Sequence, residues 1–152
     1  MNKLLDYLSK EHIDFKLHHH PKVLTLNDVR SELNFEETRL VKTLVFKVGE
    51  KFILVALRGL DLLDYKKLSA YLKINRSELT KPESEEIENM LGFDIGGIPP
   101  FTKNKDAKIV YDLKVKQIER MYCGSGKNTE TLEVNTQQII SLFKPDIAYI
   151  SK

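Results

Sequence analysis

The sequence has almost no cysteine: Cys123 stands alone among 152 residues. One thiol cannot form a disulfide within the chain, so a reducing, cytoplasmic setting is the expectation. Long apolar runs are missing too. No stretch nears the roughly 20 residues that a membrane-spanning helix needs. The charged N-terminus, MNKLLDYLSKEHIDF, lacks the apolar centre and small-residue cleavage site of a signal peptide. Charge of one sign is scarce. A formal net charge of +2 does not argue for nucleic acid, so any RNA contact has to come from a local patch. No G-x-S-x-G, P-loop or G-x-G-x-x-G after a strand is present, which removes the common nucleophile and phosphate-loop chemistries. Repeats and low-complexity segments are also lacking. What remains, 41% hydrophobic and 30% charged residues, is the balance of one globular domain over residues 1–152 with a core of its own.

Periodicity then sketches the elements. LLDYLSKEHI places Leu4, Leu5, Leu8 and His12 at helical spacing. DFKLHHH alternates as a short strand that Pro21 ends, and TLNDVRSELN predicts a helix capped by Thr25. RLVKTLVFKVGEKFILVALRG carries two β-rich arms joined at Gly49-Glu50, a hairpin spacing. DYKKLSAYLKI and KPESEEIENML predict helices, the second with Pro82 near its first turn. AKIVYDL, QIERMYCG and ETLEVN predict strands, TQQIISLF a helix and DIAYI a last strand. Hairpins mixed with helical crossovers exclude a simple doubly wound sheet. The expected class is α+β, a mixed, barrel-like sheet surrounded by helices.

Four places carry chemical interest. In a strand His18 and His20 share one face and could chelate, but no Cys, His or carboxylate cluster completes a zinc set, so no metal is expected. Lys42 shares its face with Leu40, Leu44 and Phe46, so it must either reach solvent or meet an anion. GFDIGGIPPF, residues 92–101, packs three glycines and two prolines into ten positions. Gly96 and Gly97 let another group approach the main chain closely, and Pro99 and Pro100 hold it extended. That fits either a preorganised main-chain site for an oxyanion or a rigid connector. CGSGKNTE, with Gly124, Ser125 and Gly126, is either a tight turn or an anion cradle. Cys123 beside it reads as a strand core residue rather than a nucleophile.

Taken in order, HPKVLT, VKTLVF, LDYKKLSAYL, GGIPPF and GSGKNTETLEV resemble the YbaK/EbsC-like family, from about residue 12 to residue 143. These are free-standing relatives of the editing domain inserted in bacterial prolyl-tRNA synthetases. The resemblance implies a barrel-like mixed sheet and hydrolysis of mischarged aminoacyl-tRNA without metal or organic cofactor. It sets Lys42 against the phosphate of the terminal adenosine. Gly96, Gly97 and Pro100 would be catalytic through the main chain, with Ile98, Pro99 and Phe101 beside them on the substrate. Gly124, Ser125 and Gly126 would form the opposite wall, and His20 and Thr25 are further pocket candidates. Water or a group of the substrate itself would attack the ester, the protein contributing position and electrostatics.

Two departures bear on specificity. Thr102-Lys103 follows where many relatives continue with glycine, and Pro99 stands where others have Ser or Thr. Candidate substrates are Cys, Ala, Ser or Thr esters, with tRNA-Pro or a similar tRNA as carrier and a synthetase as a further possible partner. Lys103, Lys105 and Lys108 could meet the tRNA backbone or form a solvated face. The rival reading is a non-catalytic module of the same fold that binds tRNA or a synthetase.

Overall fold

The computed structural model describes residues 3–22, 24 and 36–152. The expected helix over TLNDVRSELN, Thr25 included, lies outside the described residues. Among them, four α-helices and two sheets form the mixed α+β arrangement that the periodicity predicts. The strands divide between the sheets and do not close into a barrel.

The strands are β1 (Phe15–His19), β2 (Val41–Val48), β3 (Lys51–Arg58), β4 (Leu79–Thr80), β5 (Lys108–Asp112), β6 (Arg120–Gly124), β7 (Glu130–Asn135) and β8 (Asp146–Ala148). The larger sheet has the order β4-β2-β3-β5-β8. Its β2–β3 hairpin turns at Gly49, whose φ of 59° suits glycine. Strands β3, β5 and β8 run parallel. Because β3 is central and covered on both faces, Phe52 to Leu57 are all buried, which explains its continuous apolar run. The smaller sheet, β1-β7-β6, is antiparallel. A bridge from Leu40 to Tyr122 links the two sheets where β2 begins.

Helix α1 (Lys3–Lys10) buries Leu4, Leu5 and Leu8. His12 is a correction to the helical pattern: it lies past the helix end with a φ of 58° and is exposed. Helix α2 (Tyr65–Leu72) is capped by Asp64, whose carboxylate accepts from Lys67 N–H at 3.1 Å. Helix α3 (Ser84–Leu91) starts two residues after Pro82, which therefore precedes the helix, and closes on Gly92 at φ 76°. Helix α4 (Thr136–Phe143) is capped by Asn135, which accepts from Gln138 N–H at 2.9 Å.

The main core lies between the sheets. Val41, Ala56 and Tyr111 from the larger sheet meet Met121, Cys123, Leu132 and Val134 from the smaller, with Leu5 and Leu8 of α1 and Ile139 of α4. A second core, under α2, joins Phe46, Val55, Leu57 and Val110 to Leu63 and Leu68. Each such fully buried side chain contributes about 1.5–3 kcal/mol by leaving water. The C-terminus is tied down by Asp112, which is fully buried. Its Oδ1 accepts from Ile150 and Ser151 N–H, each at 2.9 Å, and its Oδ2 accepts from Lys114 N–H at 3.1 Å. Backbone donors thus satisfy a buried carboxylate, with the charge of Arg58 acting on it as well. Among the described residues, no helix is long and apolar enough to cross a membrane.

Candidate functional site

Strand β4 pairs with β2 only at Lys47 and Val48. Towards the other end of β2, Val41, Lys42, Thr43 and Leu44 line a pocket of about 340 Å³. Its other walls include Ile95, Gly96 and Ile98 of the glycine–proline loop, Tyr122 to Gly124 of β6, and Glu130 and Thr131 of β7. The volume is at the lower end of the range for small-molecule sites. Lys42, Gly96, Ile98 and Gly124, distant in sequence, share this one cavity.

The bare backbone has a packing reason. A Cβ on Gly97 would lie 2.4 Å from the Lys127 carbonyl carbon and oxygen, and one on Gly124 would lie 2.3 Å from the Ile98 carbonyl oxygen. The two glycine segments are therefore laid main chain on main chain. Gly126 N–H donates to Gly97 O at 2.7 Å, Asp94 N–H to Gly126 O at 3.0 Å, and Asn128 N–H to the Asp94 carboxylate at 3.2 Å. Gly97 N–H donates to Asp94 O. Both main-chain groups of Gly97 are thus engaged inside this dock. Gly96, at φ 89°, and Ile98 border the pocket instead, and among the described residues neither N–H donates to another group.

The prolines anchor the same loop. Pro99 and Pro100 are buried, and the Pro100 carbonyl accepts from Tyr111 O–H at 2.8 Å. Phe101 is fully buried and stacks on Phe143 at 4.8 Å between ring centroids. Pro99, Pro100 and Phe101 accordingly sit behind the pocket wall, not on it. Ser125 is also fully buried; its hydroxyl donates to Glu130 O at 3.1 Å, bracing the turn. Cys123 reaches the pocket wall from the core, but burial pushes its thiol well up, so it is not a ready thiolate.

Lys42 is half-buried in the pocket wall. Its charge helps hold the Asp61 carboxyl below the usual carboxylate range, behind the larger effect of the Arg58 hydrogen bond. His20 lies just outside: its Nε2 is 2.9 Å from the hydroxyl of Thr131, a lining residue. His18 faces Glu133 at 2.9 Å. Among the described residues, no group of three or more His, Cys, Asp or Glu is arranged to hold a metal ion. Of the loop lysines, Lys108 pairs with Asp146 at 2.8 Å and Lys103 lies over the Tyr7 ring at 4.3 Å.

Thr43, Tyr122 and Glu130 escape the sequence reading. The sequence places all three in strands, where Thr43 differs in parity from Lys42 and Glu130 is the first residue after the glycine turn, and nothing local marks any of them for a site. Only the fold shows that β7 begins against the open end of β2.

A model of the aminoacyl-tRNA editing domain matches residues 20–142. The chain belongs to the aminoacyl-tRNA editing domain family. The proline–tRNA ligase of Pediococcus pentosaceus is 29% identical over 135 residues, covering 82% of this chain and 23% of the ligase. That of Kosmotoga olearia is 34% identical over 107 residues, covering 70% of this chain and 18% of the ligase. The editing domain spans about a fifth of the length of these curated relatives. Two solved structures share its fold. Hypothetical protein APE2540 has a TM-score of 0.85 at 18% identity, over 99% of this chain and 100% of that one. A protein proposed to be a trans-editing enzyme for prolyl tRNA synthetase has a TM-score of 0.80 at 19% identity, over 98% and 94%. Membership relates this chain to the editing domain within proline–tRNA ligases, as its motif order implies.

Proposed function

We propose that this chain is an aminoacyl-tRNA deacylase that clears mischarged tRNA in trans. The observation that carries the reading is the convergence of Lys42, Gly96, Ile98 and Gly124 on one small pocket. Lys42 holds the phosphate of the terminal adenosine by charge. The Gly96 and Ile98 N–H groups offer preorganised donors to the oxyanion that develops as the ester carbonyl is attacked. Attack comes from water or a substrate group, since the Cys123 thiol is poorly ionised and the Ser125 hydroxyl is spent on its turn. With water, the bond from the carbonyl carbon to the ribose oxygen breaks and that oxygen takes the proton water gives up, releasing free amino acid and tRNA. With a side-chain nucleophile of the substrate, the acyl group leaves first as a cyclic ester or thioester, which water then opens.

The pocket's size admits a small aminoacyl group, so Cys, Ala, Ser or Thr esters are the substrates, on tRNA-Pro or a similar tRNA. One methylene changes binding only modestly in such a cavity, so discrimination rests on the polar wall. The test is hydrolysis of tRNAs charged with Cys, Ala, Ser, Thr and Pro, by wild type and Lys42→Ala. Selective hydrolysis of one ester, reduced about 100-fold or more in the variant, is expected. A flat panel with tRNA still bound makes the chain a binding module; a flat panel without binding overturns the reading.

A further inference from the structure

Two buried polar atoms in the wall of the pocket have no hydrogen-bond partner among the described residues: Glu130 Oε2 and Thr43 Oγ1. The Glu130 side chain is only 14% exposed, and its other carboxylate oxygen lies 3.7 Å from Nδ1 of exposed His19, beyond hydrogen-bond reach. Buried polar groups are almost always satisfied, and an orphaned carboxylate oxygen is costlier than a neutral group. Strand parity explains the placement. Glu130 alternates with Leu132 and Val134, which enter the core, so its side chain is carried inward as β7 leaves the glycine turn.

We propose that Glu130 binds the α-ammonium group of the aminoacyl ester, with the Thr43 hydroxyl accepting a second hydrogen bond from the same group or donating one to the ester carbonyl. The inference rests on the reading of this pocket as the seat of an aminoacyl ester. An aminoacyl-adenosine end carries one anion, its phosphate, and one cation, its amine. The pocket offers the matching pair, Lys42 and Glu130. A free α-amine titrates near about 8, and a facing carboxylate favours its charged form. Glu130 would thus separate aminoacyl esters from uncharged acyl esters of equal size, which volume alone cannot do.

The experiment takes the ester that wild type hydrolyses fastest and its α-hydroxy counterpart, made by deaminating the same charged tRNA. Values of kcat/KM are measured for wild type, Glu130→Gln and Glu130→Asp, with urea midpoints to verify folding. Wild type is expected to prefer the amine-bearing ester by about 30-fold. Glu130→Gln should bring the two esters within about threefold by slowing the amine-bearing one, while Glu130→Asp keeps part of the preference. An unchanged preference in Glu130→Gln, or an equal loss on both esters, overturns the inference and leaves the deacylase reading standing. If wild type hydrolyses no ester, the deacylase reading fails and this inference falls with it.

Discussion

Glu130 and Glu133 stand on one strand, are equally buried, at 14% and 13% exposure, and have opposite surroundings. Glu133 is saturated. Arg120 Nε donates to it at 2.9 Å, Arg39 Nη2 at 3.3 Å, and His18 Nε2 lies at 2.9 Å. Those partners come from β6, from the segment before β2 and from β1, so one carboxylate ties three parts of the chain together. Arg39 also lies over the Tyr122 ring at 4.2 Å, which carries the network to the pocket wall. At Glu130 an oxygen is buried with nothing to accept from among the described residues. The odd position meets the arginines on the outer face, and the even position is turned into the cavity. One end of the strand is closed by partners from its own chain; the other carries an unsatisfied oxygen into the pocket wall.

The largest effect should come from breaking the dock that holds the pocket open. Gly97→Ala puts a methyl group 2.4 Å from the Lys127 carbonyl, an overlap with main chain that rotamers cannot relieve. A loss of about 3 kcal/mol is expected, read as the urea midpoint, with hydrolysis lost as well. Full stability in this variant would mean that the two loops do not pack as described. Next in size is Glu133→Gln, which leaves Arg39 and Arg120 facing a neutral amide and should cost about 2 kcal/mol near pH 7. Glu130→Gln, by contrast, removes a charge from a buried oxygen with no partner among the described residues and should not cost stability but raise it, by about 1 kcal/mol. Equal costs at the two positions would erase the distinction between them.

Acid sharpens the same contrast. The Arg120 hydrogen bond, foremost, holds the Glu133 carboxyl down at about 2, against roughly 4.3 in an unfolded chain. Between those values the unfolded chain binds the extra proton, so stability rises with pH there. The contribution, on the order of 2 kcal/mol, is complete above about pH 4.3 and is lost as pH falls towards about 2. Urea midpoints of wild type should therefore fall across this window more steeply than those of Glu133→Gln. Parallel slopes would show that other carboxylates govern acid stability.

Local pattern carried most of the fold. The β2–β3 hairpin follows from two apolar arms about Gly49, and α2 from Asp64 and its amphipathic spacing. Lys42 and Gly96, which both line the pocket, stood out in the sequence because each breaks a local rule, a cation among apolar residues and a glycine close to stiff prolines. Phe101 and Ser125 show where that logic stops. They adjoin the right loops, yet one stacks on Phe143 and the other braces its own turn. Adjacency in sequence does not say which side of a loop faces the cavity. Thr43, Glu130 and Asp112 were illegible for a related reason. Their significance lies in long-range hydrogen bonds, made by Asp112 and, among the described residues, left unmade at Thr43 Oγ1 and Glu130 Oε2.

Thr43 offers the most discriminating test, because its effect has opposite signs in two measurements. Thr43→Val keeps the branched shape that suits a strand and removes a buried hydroxyl with no partner among the described residues. Leaving such a group unsatisfied costs about 1–3 kcal/mol, so its replacement by a methyl group should stabilise the protein by about 1 kcal/mol. A purely structural residue would show that gain and nothing else. A residue that completes its hydrogen bond only on substrate should also lose turnover, about tenfold in kcat/KM for the preferred ester. Greater stability with lower activity marks a position kept polar for its ligand. Destabilisation instead would mean that the hydroxyl is already satisfied in the free protein, and Thr43 would then belong with Glu133 rather than with Glu130.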